Sequence, residues 1–242
     1  MARRPLLSII VPAFNERATL PGVLKRLAAL PVDKEVIVVD DGSSDAGFAG
    51  LPPSTPRVRI LRHHTNLGKG AAIRTALAHV HGEWAVVQDA DDEIDPMDIV
   101  RLLRAARRER AVAAFGSRFL GGPGALWRAR AKIHPGLHVT RAAGRLITAW
   151  TNILYRTKYT DVTCVYKLIP SDLLRRAHIT SRGFDIEAEL AAKLAPFRRR
   201  IIERRIRYAP RVYKEGKKIR PWDTVRILWT LTRLRFARPL RP

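Results

Sequence analysis

Three clusters in the first hundred residues have the residue types for nucleotide and metal chemistry. Asp89-Ala90-Asp91 puts two carboxylates one residue apart, so both can face one side as the chain leaves a strand. Such a pair suits a hard divalent cation, Mg²⁺ or Mn²⁺, with diphosphate oxygens as further ligands, and Glu93 is a third candidate ligand. The same acids also fit a solvated acidic loop. Asp40-Asp41 can accept hydrogen bonds from a nucleobase or ribose, or close an Asx-turn or helix cap with Ser44. Asn66-Leu67-Gly68-Lys69-Gly70 offers glycines, backbone N–H groups at a helix start and the Lys69 ammonium, which suit phosphate. Plain helix-start chemistry accounts for the same residues, and the Walker A spacing and its Ser/Thr are missing.

These clusters need elements to position them, and the apolar pattern supplies a series. Residues 6–11, 36–39, 58–61, 84–87 and 112–116 are β-branched, apolar runs that read as buried strands, the first closed by Pro12. Residues 20–30, 71–80 and 96–108 read as helices, with Thr19 as a candidate N-cap and Pro96 at a helix start. The alternation argues for an α/β fold with a mostly parallel sheet flanked by helices. Ligands bind beyond the carboxyl ends of such strands, and both acidic clusters lie at such ends. Further on, residues 137–156 and 183–194 read as helices and 201–208 as a strand.

The chain has 242 residues, 46% of them hydrophobic, enough for one domain with a substantial core. Lys and Arg number 45 against 22 Asp and Glu, a formal net charge of +23, so polyanions are the expected partners: nucleic acid, an anionic membrane face or phosphorylated substrates. Cys164 is the single cysteine, which excludes an intramolecular disulfide and suits a reducing compartment. There is no apolar run of membrane-spanning length, and residues 1–5 lead straight into a strand, so neither a transmembrane helix nor a signal peptide is expected. The expectation is a cytoplasmic protein able to lie on a membrane surface. From Pro196 onward, 16 Lys/Arg stand against three Asp/Glu, and Trp222 to Phe236 mixes apolar residues with arginine. That segment fits either a helix at a membrane interface, anchored by Trp222 and Trp229, or a helix packed on its own domain.

Taken together, Ile10-Val-Pro-Ala-Phe-Asn-Glu16, Val38-Val-Asp-Asp-Gly-Ser-Ser-Asp45, Asn66-Leu-Gly-Lys-Gly70 and Gln88-Asp-Ala-Asp91 occur in order at suitable spacings. This set resembles the family 2 glycosyltransferases of the GT-A (Rossmann-like) fold. Phe115-Gly-Ser-Arg-Phe119, Thr160-Asp161 with Tyr166-Lys167, Gly183-Phe-Asp-Ile-Glu187, and Arg211 with Glu215-Gly-Lys-Lys218 are similar to the branch of dolichol-phosphate mannose synthases and bacterial polyprenyl-phosphate glycosyltransferases. The resemblance implies a glycosyltransferase domain over 1–212, with 213–242 as a basic amphipathic segment. It implies that Pro12, Phe14 and Glu16 line the nucleotide pocket and that Val39 and Asp41 contact base and ribose. Lys69 would meet phosphate, and Asp89, Ala90 and Asp91 would hold the diphosphate through the metal. Glu93 stands where the branch often has Gln. Arg118 matches an arginine facing the acceptor phosphate. Arg211 and one of Lys217 or Lys218 match basic residues near diphosphate and acceptor. Asp91, Arg118, Arg211 and Lys217 are then the expected catalytic residues. Arg128 or Arg130 would fill a further phosphate position. A serine that holds the acceptor phosphate in the family has no clear counterpart; Thr140, Arg141 and Ala142 lie in that region.

The acceptor decides the mechanism. A hydroxyl acceptor needs a general base, whereas a lipid monophosphate is already an anion and needs cations around it. The chain supplies many arginines and no His-Asp pair at the motifs, and His63 and His64 read as surface loop residues. The expected reaction is inverting transfer of a hexose from GDP-mannose or a UDP-sugar to a polyprenyl or dolichyl phosphate. A soluble hydroxyl acceptor is the alternative, with Asp185 and Glu187 as base candidates. A basic nucleic-acid-binding protein without turnover is a third reading; the acidic clusters and the absence of a stacking motif speak against it.

Overall fold

The structure is a computed structural model that describes residues 4–45, 48, 54–55, 57–121, 136–210 and 221–237. In chain order the elements are β1 (Leu7–Ala13), α1 (Leu20–Ala28), β2 (Lys34–Asp40), β3 (Val58–Arg62), α2 (Lys69–Leu77), β4 (Trp84–Val87), α3 (Met97–Arg108), β5 (Ala113–Ser117), α4 (Gly136–Tyr155), β6 (Lys167–Pro170), α5 (Ser171–Arg176), α6 (Ile186–Leu194), β7 (Ile201–Arg205) and α7 (Pro221–Arg235).

The seven strands form one sheet in the order β3-β2-β1-β4-β6-β5-β7. All pairs are parallel except those of β6, which runs antiparallel to both β4 and β5. Helices flank the sheet, and all seven residues of β1 are buried, as a strand covered on both faces requires. α1 meets the core through Leu20, Val23 and Leu27, one stripe at helical spacing.

Two boundaries differ from the expectation for physical reasons. β1 does not stop at Pro12 but runs to Ala13, paired with β2 as far as Ala13 opposite Asp40. Its pairing with β4 has already ended at Ile10 opposite Val87, so Pro12 sits beyond the stretch hydrogen-bonded on both edges. The strand expected over 201–208 ends at Arg205. The chain then crosses to the other acidic loop, where Tyr208 bridges Ile94 and the Ala209 N–H donates to the Glu93 carbonyl at 2.8 Å.

The reversed strand β6 has a consequence for the site. Every parallel strand delivers its carboxyl end to one edge of the sheet. β6 delivers its amino end there, so the preceding loop, residues 160–166, meets the loops that follow β4 and β5.

Candidate active site

The first two motifs form one corner at the ends of β1 and β2. Asn15, held at φ 51°, donates its N–H to Ser43 Oγ at 2.9 Å and accepts from the Ser44 N–H through Oδ1 at 2.8 Å. Glu16 Oε2 accepts from Thr19 Oγ1 at 2.8 Å; Thr19 makes no side-chain cap to α1. Pro12 and Val39 are buried in this corner and Phe14 is half-buried.

Asp41, expected to face base and ribose, has both oxygens engaged within the protein. Oδ1 accepts from the Leu67 N–H at 2.9 Å and lies 2.7 Å from His63 Nδ1; Oδ2 accepts from the Gly68 N–H at 2.8 Å. The geometry makes Asp41 a strut for a loop 26 residues away rather than the head of a local turn. His63 is correspondingly not the surface residue expected: its ring is clamped between Asp41 and Thr75 Oγ1, the latter 2.9 Å from Nε2.

The glycines of the third motif also serve a different purpose from the one expected. A Cβ on Gly68 (φ 96°) would fall 2.3 Å from the Arg182 carbonyl oxygen, and one on Gly70 2.2 Å from that of Ser181. The loop thus docks backbone to backbone, with the Gly70 N–H donating to Arg182 O at 2.8 Å. The N–H groups of Leu67, Gly68 and Gly70 are spent inside the protein, so they do not form the expected phosphate cradle. Lys69 is what this loop presents. Its ammonium bridges Asp89 Oδ1 at 2.7 Å and Glu187 Oε1 at 2.6 Å, beneath the Phe184 ring. Burial alone would lower its pKa, but the two carboxylates hold it well above the ordinary lysine value.

Asp89, Asp91 and Glu93 line a cleft of about 140 Å³. Gln88 fixes the start of this loop: its Nε2 donates to Asp89 O at 2.9 Å, and its Oε1 accepts from the buried Tyr166 hydroxyl. Among the described residues no three His, Cys, Asp or Glu side chains converge as a protein-only metal cage. The expected third ligand, Glu93, has the Tyr208 hydroxyl hydrogen-bonded to its carboxylate. Asp89, Asp91 and Glu93 are hard oxygen donors of the type that takes Mg²⁺ or Mn²⁺ when phosphate oxygens complete the shell. The Lys69 ammonium on Asp89 is a stand-in for such a cation. The donor set therefore fits a divalent ion shared with a diphosphate.

Arginines line the same cleft. Arg118 makes a two-pronged pair with Asp161, Nε to Oδ2 at 2.7 Å and Nη2 to Oδ1 at 2.8 Å, and also donates to Thr163 Oγ1 at 2.6 Å. Burial would raise the Asp161 pKa, but the Arg118 charge and hydrogen bonds hold it below the usual carboxylate range. Lys167, at the start of β6, is buried and ties the loop from within, donating to the Val162 and Cys164 carbonyls at 2.8 and 2.6 Å. Three guanidiniums, those of Arg118, Arg141 and Arg145, lie 5.5 to 5.9 Å from the centre of the Phe119 ring. Thr140 and Arg141 line the cleft with Arg118. Asp185 does not fit the role of base: it is buried and accepts from Ser181 Oγ at 2.8 Å, Thr230 Oγ1 at 3.0 Å and the Gly183 N–H at 3.2 Å.

The structure thus brings Lys69, Asp89, Asp91, Glu93, Arg118, Arg141 and Glu187 to one cleft. Pro12, Phe14, Glu16, Val39 and Asp41 belong to the neighbouring corner and do not line it. Arg128, Arg130, Arg211, Lys217 and Lys218 lie outside the described residues. Sequence reasoning gave no role to Tyr208, Thr163 or Arg145. The distances between these residues and their partners along the chain left no local signal.

The glycosyl transferase family 2 model matches residues 8–169. The chain belongs to that family. As a family 2 glycosyltransferase it is 29% identical over 223 residues to an undecaprenyl-phosphate mannosyltransferase of Micrococcus luteus, covering 86% of this chain and 85% of that one. It is 35% identical over 111 residues to an undecaprenyl-phosphate 4-deoxy-4-formamido-L-arabinose transferase of Sodalis glossinidius, covering 42% of this chain and 34% of the relative. In fold it matches the Mycobacterium tuberculosis glucosyl-3-phosphoglycerate synthase crystallised with UDP, with a TM-score of 0.66 at 19% identity over 96% of this chain and 80% of that one. The expected GT-A-type architecture is therefore present in this glycosyltransferase.

Proposed function

We propose that this family 2 glycosyltransferase moves a hexose from a sugar nucleotide, GDP-mannose or a UDP-sugar, to a polyprenyl monophosphate with inversion at the sugar carbon. One observation carries the reading: a single cleft is lined both by the carboxylates Asp89 and Asp91 and by the guanidiniums Arg118 and Arg141, the charges that a metal-bound diphosphate and an anionic acceptor require. The 29% identity to a mannosyltransferase named for undecaprenyl phosphate supports the lipid acceptor.

The nucleotide would lie in the corner of Pro12, Phe14, Glu16 and Val39, with its diphosphate directed at Asp89 and Asp91. Asp89 and Asp91, with Glu93 beside them, would hold a divalent ion, which would neutralise charge on the departing nucleoside diphosphate. Lys69 adds a fixed positive charge beside it. Arg118, locked in place by Asp161, holds the acceptor phosphate, with Arg141 beside it and Arg211 and Lys217 as further cations. A phosphate oxygen then forms the bond to the sugar C1 as the C1–O bond to the diphosphate breaks, and its electron pair leaves with the nucleoside diphosphate. No proton has to be removed. Consistent with this, Asp161 and Glu187 are each engaged by a cation and Asp185 is buried in hydrogen bonds, so none is poised as a general base.

Incubation with labelled GDP-mannose, UDP-glucose and UDP-N-acetylglucosamine, Mn²⁺ and a polyprenyl phosphate should place label in the organic phase. Label appearing only on soluble hydroxyl acceptors overturns the lipid reading. Asp91→Ala should lower kcat on the order of 100-fold or more; unchanged turnover would remove the metal role from Asp91.

A further inference from the structure

Among the described residues, most of the large exposed hydrophobic side chains lie on two helices. Of the ten large hydrophobic side chains left exposed among the described residues, eight belong to α4 and α7 or directly follow α7: Val139, Leu146, Trp150 and Ile153, then Trp222, Val225, Trp229 and Phe236. Trp222 is 79% and Phe236 86% exposed, values that a side chain packing on its own domain does not have.

Each helix is two-sided. At about 100° of turn per residue, the four exposed positions of α4 fall within roughly 60° of arc, and so do the four of the α7 segment. The opposite side of each faces the core: Leu137, Gly144, Ile147 and Thr151 on α4, Ile227, Thr230 and Leu231 on α7. The two helices are also fastened to each other, by Trp150 Nε1 donating to Thr232 Oγ1 at 3.1 Å and Tyr155 Oη donating to Leu231 O at 2.7 Å. α7 is held to the α6 end through Thr230 and Asp185. The inward rows and the Trp150 ring nitrogen anchor the pair, and the outward rows otherwise present apolar surface to solvent.

We infer that the joined α4 and α7 helices form a docking face for an anionic lipid bilayer. The charge selects this occupant. Arg145, Arg226, Arg233 and Arg235 are exposed on the same two helices, whose only acidic residue is Asp223. A second copy would bring two faces of a +23 chain together, which its own charge opposes. Anionic headgroups neutralise the arginines while the tryptophans enter the interface, the depth at which their amphipathic rings are stable. No described helix is long and apolar enough to cross the membrane, so contact is along the surface. The inward sides of the same two helices line the cleft, through Thr140 and Arg141 of α4 and Thr224 and Ile227 of α7. Docking therefore sets the cleft behind the helices that meet the headgroup layer. That last step rests on the proposed lipid acceptor; the docking face does not.

The test is sedimentation of the full chain with vesicles of phosphatidylcholine alone or mixed with phosphatidylglycerol. The protein should pellet with the anionic vesicles and be released as salt rises. The combined Ile153→Ser, Trp222→Ser and Trp229→Ser variant should bind at least tenfold more weakly with an unchanged thermal midpoint, since none of these side chains reaches the core or the cleft. Arg233→Gln with Arg235→Gln should reduce the preference for anionic over neutral vesicles. Absent binding by the unaltered protein, or equal binding by the triple variant, overturns the inference. A dimer that the triple variant dissociates, without vesicle binding, overturns it in favour of a second copy. Vesicle binding without any lipid product leaves this inference standing and removes the acceptor reading.

Discussion

At the scale of single residues, side chains reach the cleft because other side chains spend their hydrogen bonds holding them. Asp161 is the clearest case: buried, it aims the Arg118 guanidinium with both of its oxygens. Asp161→Asn keeps the shape and removes the charge, so kcat/KM should fall roughly 10- to 100-fold through a misplaced Arg118. Steady-state kinetics with varied acceptor would register this as a rise in KM, and an unchanged KM would detach Asp161 from acceptor binding. Cys164 lies beneath the same loop, and burial with the neighbouring Asp161 charge pushes its thiol up to about 12. Iodoacetamide at pH 8 should leave the native protein unlabelled and modify it only after denaturation. The acidic pair of the loop after β4 was legible from its spacing and its place at a strand end. The contact of Glu93 with Tyr208 was not, because more than a hundred residues separate them and the pairing of residues 208–209 with 93–94 brings them together. His63 was misread for the same reason: its partners Asp41 and Thr75 come from two other elements.

At the scale of elements, the apolar runs announced six of the seven strands, and the missing one is instructive. β6 has four residues, begins with a lysine and ends with a proline, and so carries none of the usual marks of a buried strand. Lys167 is tolerated there because its ammonium is satisfied by two carbonyls of its own loop, which burial accompanies with a lowered pKa. The Asn66 to Gly70 motif was visible, but its glycines serve the docking of α2 against residues 181–182. Gly70→Ala should therefore cost about 1–3 kcal/mol, because its Cβ would meet the Ser181 carbonyl oxygen at 2.2 Å. Gly136→Ala, where nothing lies within 4 Å, should change stability by no more than about 0.5 kcal/mol. Chemical denaturation of the two variants side by side gives the comparison, and equal effects would refute the close-approach explanation.

At the scale of the whole molecule, two charge effects set the stability profile. Asp161, Glu35 and Glu189 are all held below ordinary carboxylate values; burial opposes this, and their hydrogen bonds and ion pairs outweigh it. For a depressed acid the stabilisation is present above the unfolded value, about 4, and is lost as pH falls through the lower folded value. The thermal midpoint should thus decline below about pH 4, and Asp161→Asn should flatten that decline. The +23 net charge acts on the fold as a whole, so added salt should raise the midpoint at neutral pH. A midpoint that falls with salt would mean that ion pairs, not self-repulsion, dominate.

The reversed strand has one more consequence, and it concerns time. β5 leaves the ribosome with no neighbour available, because the sheet order puts β6 between it and β4, and β6 is made about fifty residues later. The strands β1 to β4 can close on one another while β5 waits. Within the sheet, the four residues of β6 then join β5 and β7 to the first half. Pulse-labelled hydrogen exchange during refolding should find the amides of β1, β2 and β4 protected before those of β5 and β7. Arg118, directly after β5, is on this timetable among the last cleft residues to be placed.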